Sequence, residues 1–247
     1  MIKLQNYKIL QHELNKLIIK ANVKKKDSII IIKTDQKLEN NNFNCRILNP
    51  VNKKLLDKFT PKHVKVKESA ELYNSKIDNY INKLIKNGNT KWILNILYQT
   101  KQNSDIFYQD EKIILLRDII WNGVDRKKLY MLAIPKNSKL RSIRDLQQKD
   151  LALLNHMKNK ITDYLLKKWN LKENELYYFF HYHPSFYYLH LHVCVINHES
   201  LKSNFLRPKL LENVIENINN DNNYYQETSL YYELPITHKI YQLVFKD

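Results

Sequence analysis

The pattern of apolar and polar positions changes between a two-residue and a helical period several times along the 247 residues. Short runs of β-branched and aromatic residues predict strands, and apolar residues three and four positions apart predict helices. Strands are expected at Ser28–Lys33, twice within Ile106–Ile120, at Lys128–Ile134, on both sides of Pro184 and at Thr228–Leu234. Helices are expected within 4–20 (alone or with a strand), over Ile77–Ile85, after Thr90, over Leu151–Leu165, from Pro208 to Ile218 and at the C-terminus. Ser142 and Asp145 are candidates for the N-cap of the helix that contains Leu151–Leu165. This order, with helices gathered on one side of the strands, indicates an α+β fold.

A basic segment that contains proline, Asn49–Lys67, interrupts these periodic stretches and predicts a hinge. It separates a small N-terminal domain, 1–62, from a larger domain, 68–247. A chain of this length can form two modest domains, so the division is reasonable.

The segment His181–Val193 is the most informative part of the sequence, because it places four histidines within thirteen residues. Alternation along a strand puts His190, His192 and Cys194 on one face, with aliphatic residues on the other. The aromatic run before it and the Pro184–Ser185 turn predict an antiparallel hairpin that brings His181 close to this face.

Imidazoles aligned on an apolar strand indicate chemistry on an anionic substrate, since neutral imidazole is a nucleophile and imidazolium binds phosphate. The same His-x-His spacing on facing strands also suits a zinc ion, so a metal site is the competing interpretation. No role is assigned to His156 or His183.

The amino-acid composition limits the kinds of ligand and the cellular location that we expect for this chain. There are 41 Lys and Arg against 25 Asp and Glu, a net charge of +16, which favours a polyanion such as RNA or a nucleotide. An AT-rich genome, which enriches lysine, would explain the same charge without a ligand. Two glycines exclude a Gly-rich phosphate loop, so phosphate would have to be held by side chains. Two cysteines, no signal peptide and no run of about 18 apolar residues lead us to expect a cytoplasmic or nuclear protein.

From about residue 68 onward, the chain resembles the scavenger mRNA-decapping enzymes of the histidine-triad (HIT) superfamily. The resemblance rests on blocks in a specific order: Trp92–Leu97, Asp118–Asn122, Leu129–Ile134, Arg141–Leu146, His181–Ser185, Leu189–His192 and Arg207–Asn217. Residues 1–67 resemble a shortened form of the family's N-terminal domain.

The resemblance implies a HIT-like C-terminal domain, an antiparallel sheet with helices, after a small α+β domain that is swapped within a homodimer. It implies hydrolysis of the triphosphate bridge of 7-methylguanosine cap dinucleotides, or of short capped RNA fragments. The product would be 7-methylguanosine monophosphate, formed through a covalent nucleotidyl-histidine. No metal or other cofactor is implied, and no membrane partner.

The same resemblance implies roles for individual residues. His190 would be the nucleophile, and His192 and His181 would donate to phosphate oxygens. The phosphate would also meet Ser185, Arg207 and Lys58, and the methylated guanine would stack on Trp92 and pair with Asp118.

Three positions differ from the family's pattern. Tyr188 stands where the first histidine of the triad is expected, with its phenol as a hydrogen-bond donor. Gln102 replaces a guanine-binding glutamate, and Ile120 replaces a lysine that contacts the cap. These changes keep two alternatives open: a HIT hydrolase of other dinucleoside polyphosphates, and a protein that binds caps without cleaving them.

Overall fold

The computed structural model describes residues 63–98, 105–136, 139–202 and 206–245, and the backbone of four strands that precede them. The chain divides into two compact units, Met1–Val64 with Pro235–His238, and Lys65–Leu234 with Lys239–Asp247. Within the described residues, no helix combines the length and the apolar character needed to cross a membrane.

The first unit contains a four-stranded antiparallel sheet in the order β1–β2–β3–β4. Its strands are β1 Lys8–Glu13, β2 Lys16–Val23, β3 Lys26–Lys33 and β4 Asn44–Leu48. The strand predicted at Ser28–Lys33 is confirmed as part of β3. The helix expected within 4–20 is wrong for the described residues, since the run Leu17–Ile19 lies in a strand and pairs with β1 and β3. Consecutive β-branched residues fit a strand with neighbours on both sides better than one face of a helix.

From residue 63 onward, the described residues form eight strands and seven helices. The strands are β5 His63–Glu68, β6 Ile106–Gln109, β7 Ile113–Arg117, β8 Tyr130–Pro135, β9 Leu176–His181, β10 Leu191–Val195, β11 Pro208–Leu210 and β12 Leu230–Pro235. The helices are α1 Ala70–Leu72, α2 Asp78–Lys86, α3 Lys91–Tyr98, α4 Leu151–Trp169, α5 Leu211–Asn220, α6 Tyr224–Glu227 and α7 Lys239–Phe245. The π turn Tyr73–Ile77 joins α1 to α2.

Six of these strands form one antiparallel sheet in the order β11–β9–β10–β8–β7–β6. The predicted α+β fold and the histidine hairpin β9–β10 are therefore confirmed. Phe179, His192, Leu132 and Leu116 lie directly opposite one another on neighbouring strands, so they share one face, here called the histidine face.

Helices cover both faces of this sheet. On the face opposite the histidines, α4 packs on β9, where the hydroxyls of Thr162 and Tyr178 are 2.7 Å apart. On the histidine face, α3 inserts the buried side chain of Ile93 into a cluster with Ile114, Leu116, Ile134 and Tyr188. Helix α3, and Trp92 with it, is thus held on the face that carries His192.

Two helices begin at residues other than those predicted from the sequence. Ser142 caps the short 3-10 turn Ile143–Asp145, where its hydroxyl accepts from the Arg144 N–H. Helix α4 begins later, after Asp150, whose carboxylate accepts from the Gln147 N–H at 2.9 Å. Pro208 is the first residue of β11, because its neighbour Lys209 pairs with β9, and α5 begins only at Leu211.

Candidate active site

Three histidines come together on the histidine face. His181 ends β9, His192 lies within β10, and His190 immediately precedes β10. The ring centroids of His181 and His192 are 4.0 Å apart, and those of His190 and His192 are 4.9 Å apart. The hairpin thus brings together the three residues that the sequence predicts to be catalytic.

His190 is held as a neutral imidazole in one tautomer. Its Nδ1 lies 2.7 Å from the carbonyl oxygen of Tyr188, which only accepts, so Nδ1 carries the proton and Nε2 carries a lone pair. The side chain is 4% exposed, and burial, assisted by the positive charge of Arg207, lowers the pKa of His190 to about 4. The hydrogen bond to Tyr188 opposes this shift without cancelling it. At neutral pH, His190 has the form required of a nucleophile.

His192 is buried between aromatic rings. It stacks on Phe179 with 5.1 Å between centroids and 8° between planes, and its Nδ1 lies 3.0 Å from the Tyr130 hydroxyl. Its Nε2 is buried and meets no hydrogen-bond partner among the described residues. Burial, followed by the neighbouring His190 and His181, lowers the pKa of His192 well below its usual value. An unpaired buried ring nitrogen beside a nucleophile is a group kept for a ligand.

Arg207 and Ser185 lie together next to His181. The Arg207 Nη2 donates to the Ser185 hydroxyl at 3.0 Å, and its Nε donates to the His183 carbonyl at 3.3 Å. Residue 208 pairs with His181 across the β11–β9 ladder, which brings Arg207 to the end of β9. Burial, then the charges of Arg207 and His190, lower the pKa of His181 to about 3. A guanidinium, a hydroxyl and a neutral imidazole make a suitable donor set for phosphate oxygens.

Trp92 is connected to the nucleophile through Phe186. The indole of Trp92 is 42% exposed and meets the Phe186 ring edge-on, with 4.9 Å between centroids. Phe186 in turn stacks on His190, with 4.0 Å between centroids and 22° between planes. Trp92 is therefore a partly exposed aromatic surface one ring away from His190, while its neighbour Ile93 anchors the helix in the core.

Asp118 follows β7 and is half-buried. Its N–H donates to the Tyr130 carbonyl at 3.1 Å, and its carboxylate accepts from the Ile120 N–H at 3.0 Å. Burial raises the pKa of Asp118, opposed by that N–H and by His198. The side chain of Ile120 is 57% exposed and brings no positive charge to this turn.

The other residues singled out from the sequence have different outcomes. The Tyr188 hydroxyl donates to the Pro135 carbonyl at 2.9 Å, and the ring joins the apolar cluster under α3. Residue 188 therefore supports His190 through its backbone carbonyl, which any residue would supply. Lys58 and Gln102 lie outside the described residues.

His183 does not join the other three histidines. It is 4% exposed, donates from Nε2 to the Glu68 carboxylate at 2.7 Å, and meets the Tyr187 hydroxyl at Nδ1. Both ring nitrogens are thus engaged away from the histidine face. The zinc interpretation that groups all four histidines is not compatible with this arrangement.

A buried polar cluster around Glu68 was not predicted from the sequence. Its carboxylate receives hydrogen bonds from Arg144, Tyr182, His183 and Tyr232. Burial by itself would raise the pKa of Glu68, but these hydrogen bonds and the charge of Arg144 lower it to about 2. The cluster fixes the backbone on which Pro184, Ser185 and the Arg207 contact depend. Its sequence signal is weak: Arg144 lies between Ile143 and Leu146 in a segment that also contains Ser142 and Asp145.

Known proteins resemble this chain in the same region. Residues 91–205 match the family described as "Scavenger mRNA decapping enzyme C-term binding". The m7GpppX diphosphatase of Caenorhabditis elegans is 32% identical over 81% of this chain and 64% of its own length. The human m7GpppX diphosphatase is 29% identical over 78% of this chain and 60% of its own length. The m7GpppX diphosphatase of Schizosaccharomyces pombe is 28% identical over 62% of this chain and 52% of its own length. A solved structure, "Hnt3 in complex with DNA and guanosine", matches 42% of this chain and 60% of its own at 17% identity and a TM-score of 0.30, too low to support an argument.

The antiparallel sheet and its histidine hairpin lie in the region that matches the C-terminal domain of scavenger decapping enzymes. More particularly, the chain is similar to this C-terminal family and to several m7GpppX diphosphatases. It spans less than two thirds of the length of these relatives.

Proposed function

We propose that the protein hydrolyses the triphosphate bridge of 7-methylguanosine cap dinucleotides and of short capped RNA, releasing 7-methylguanosine monophosphate. The observation that carries the proposal is the state of His190, a buried neutral imidazole whose protonated Nδ1 is held by the Tyr188 carbonyl. This leaves the Nε2 lone pair free to attack phosphorus. The names of the relatives support the same substrate class.

In the first step, His190 Nε2 bonds to the phosphorus nearest the methylated guanosine. The bond from that phosphorus to the bridging oxygen breaks, and a nucleoside diphosphate leaves with the electron pair. In the second step, water attacks the nucleotidyl-histidine and the phosphorus–nitrogen bond breaks, which restores His190. Division into two displacements replaces one difficult step by two easier ones.

The proposed phosphate contacts are Arg207, Ser185 and His181, with His192 beside them. They form a compact donor set next to the nucleophile. Fixed donors that stabilise the charge developing on phosphate oxygens supply much of the rate enhancement in such reactions. From the family resemblance, we extend the proposal to Lys58 as a further phosphate contact.

For the base, we propose that Trp92 stacks on the methylated guanine and that Asp118 accepts from its N–H groups. A cationic base on an indole gains about 1–2 kcal/mol when desolvated. The half-exposed indole and the partly buried carboxylate are consistent with these roles. The family resemblance supports a homodimer, which sedimentation equilibrium would test.

One observation favours a second candidate, a hydrolase of other dinucleoside polyphosphates. The turn after Asp118 presents the exposed side chain of Ile120 where a positive charge would strengthen cap binding. Weaker selection for the methylated base would follow from this difference.

The test is to incubate the full chain, in the presence of a chelator, with m7GpppG and with unmethylated GpppG, and to identify the products by mass. Methylguanosine monophosphate formed much faster than the unmethylated product supports the proposal. Equal rates would establish the second candidate. His190→Asn is the matched control, because it keeps a planar polar side chain but has no nucleophilic nitrogen, and it should abolish both reactions.

A further inference from the structure

The guanidinium of Arg207 is held by the segment 182–185, which follows β9. Its Nε donates to the His183 carbonyl at 3.3 Å, and its Nη2 donates to the Ser185 hydroxyl at 3.0 Å. The main chain is joined at the same place, since the Tyr182 N–H donates to the Arg207 carbonyl at 3.0 Å. Both the backbone and the side chain of Arg207 are therefore attached to this segment.

The strand that Arg207 precedes contributes little to this position. Strand β11 has three residues and lies at one edge of the six-stranded sheet. An arginine side chain has many rotamers, and ordering it only when a ligand binds would weaken that binding. The contacts with the segment 182–185 fix the guanidinium before a phosphate group arrives.

The ring of His183 fixes this segment from the inside of the protein. Its Nε2 lies 2.7 Å from the Glu68 carboxylate, which only accepts, so Nε2 donates. The ring stacks on Tyr182, with 4.1 Å between centroids and 29° between planes, and meets Tyr232 edge-on at 4.7 Å. A buried ring with a charge-assisted hydrogen bond and two aromatic neighbours has little freedom, which limits the movement of its own backbone carbonyl.

We propose that His183, anchored on Glu68, is a positioning residue that holds the Arg207 guanidinium beside His181 in the orientation that receives a phosphate group. Pro208 pairs with His181 across the β11–β9 ladder, which places the arginine at that point. The proposal deepens the proposed function and rests on it for phosphate as the ligand. A donor that is oriented in advance stabilises phosphate charge without reorganisation during the reaction.

Two amide variants separate the hydrogen bond to Glu68 from the other properties of His183. His183→Gln places an amide nitrogen near the former Nε2 and can still donate to Glu68, whereas His183→Asn is one methylene shorter and cannot reach it. Isothermal titration calorimetry of the full chain with inorganic pyrophosphate measures the phosphate site without catalysis. The Asn variant should bind pyrophosphate about tenfold more weakly, and the Gln variant should recover most of the affinity. If the Asn variant does not fold, His183→Phe takes its place, because it keeps the ring that stacks on Tyr182.

A double-mutant cycle with Arg207 distinguishes positioning from a general structural role. Arg207→Lys keeps the positive charge, and so a measurable affinity, but it lacks the Nε donor that meets the His183 carbonyl. In this background, His183→Asn should cause little further loss of pyrophosphate binding, since the group through which it acts has been removed. A loss of equal size in both backgrounds would overturn the proposal. Equal losses in the Gln and Asn variants, an Asn variant as tight as wild type, or a wild type that binds no pyrophosphate would overturn it too.

Kinetics with m7GpppG connect this position to the reaction. His183→Asn should lower kcat/KM by about tenfold, and His183→Gln should restore most of it. The matched control is His156→Asn, because His156 also pairs with a carboxylate, that of Asp110 at 2.8 Å, but lies on α4. It should change neither kcat/KM nor pyrophosphate binding. If the wild type binds pyrophosphate but cleaves no cap compound, the proposed function fails, and the pyrophosphate cycle still decides whether His183 positions Arg207.

Discussion

The ring of Phe186 lies on the ring of His190, with 4.0 Å between their centroids and 22° between their planes, and it also contacts the ring of Trp92. A single side chain thus separates the proposed base platform from the nucleophile. Its packing limits rotation of the His190 ring, whose remaining orientation is set by the hydrogen bond to Tyr188. Phe186 is therefore expected to affect the reaction rate by holding the His190 ring in position.

We expect Phe186→Leu to lower kcat by roughly tenfold to a hundredfold, because a small displacement of a reacting group has effects of this size. Phe186→Tyr, which keeps the ring, should retain most of the activity. Single-turnover kinetics with m7GpppG would measure the effect on nucleotidyl-enzyme formation. A Leu variant as fast as wild type would mean that Phe186 only fills space.

Trp92→Ala should raise the KM for methylated cap by about five- to thirtyfold, the equivalent of 1–2 kcal/mol of cation–π and stacking energy. The effect on unmethylated GpppG should be smaller, since that base carries no positive charge. The comparison of the two substrates is the informative measurement. Tyr98→Ala, an exposed aromatic on the same helix, is the matched control and should leave both KM values as they were.

The histidine hairpin could be predicted because its signal is local. Alternation puts His190 and His192 on one face whatever the rest of the chain does, and Pro184–Ser185 marks the turn. The cluster around Glu68 carries no such signal, since His183 and Glu68 are 115 positions apart in the sequence. The residues around Glu68 do not identify His183 as its partner, and the residues around His183 do not identify Glu68.

Errors in the predicted elements have a similar physical origin. The run Leu17–Ile19 fits a helical stripe and a strand equally well when it is considered alone, and the neighbouring strands decide for the sheet. Ser142 is a capping residue, as the sequence predicts, but it caps a 3-10 turn and not the long helix. Local residue preferences are similar for a 3-10 turn and for the first turn of an α-helix, so they do not distinguish the two.

Glu68→Gln should lower the free energy of unfolding by about 3–5 kcal/mol, because it leaves the Arg144 guanidinium buried without a counter-charge. Both side chains are almost completely buried, at 0% and 1% exposure. Urea unfolding would measure the loss. The exposed pair Arg126–Glu175 provides the comparison, and Arg126→Gln should cost less than about 1 kcal/mol. Similar losses for the two variants would contradict a central structural role for the Glu68 cluster.

The stability of the protein should fall as the pH drops below about 6.5. His181, His190 and His192 have pKa values lowered chiefly by burial, so they stay neutral in the folded protein where the unfolded chain takes up protons. The unfolded state then binds more protons, and each histidine reduces the free energy of unfolding by up to about 1.4 kcal/mol per pH unit.

This loss should be visible between pH 6.5 and 5, where Glu68 does not contribute because its pKa of about 2 and its ordinary value of 4.5 both lie lower. Denaturant titrations across that range would give the slope, and His190→Asn should reduce it by the share of one histidine. The same shift predicts that kcat/KM keeps its acid limb near pH 4, the pKa of His190, and not near 6.5. An acid limb at 6.5 together with a pH-independent stability would show that these imidazoles are solvated, and the neutral nucleophile on which the mechanism depends would have to be abandoned.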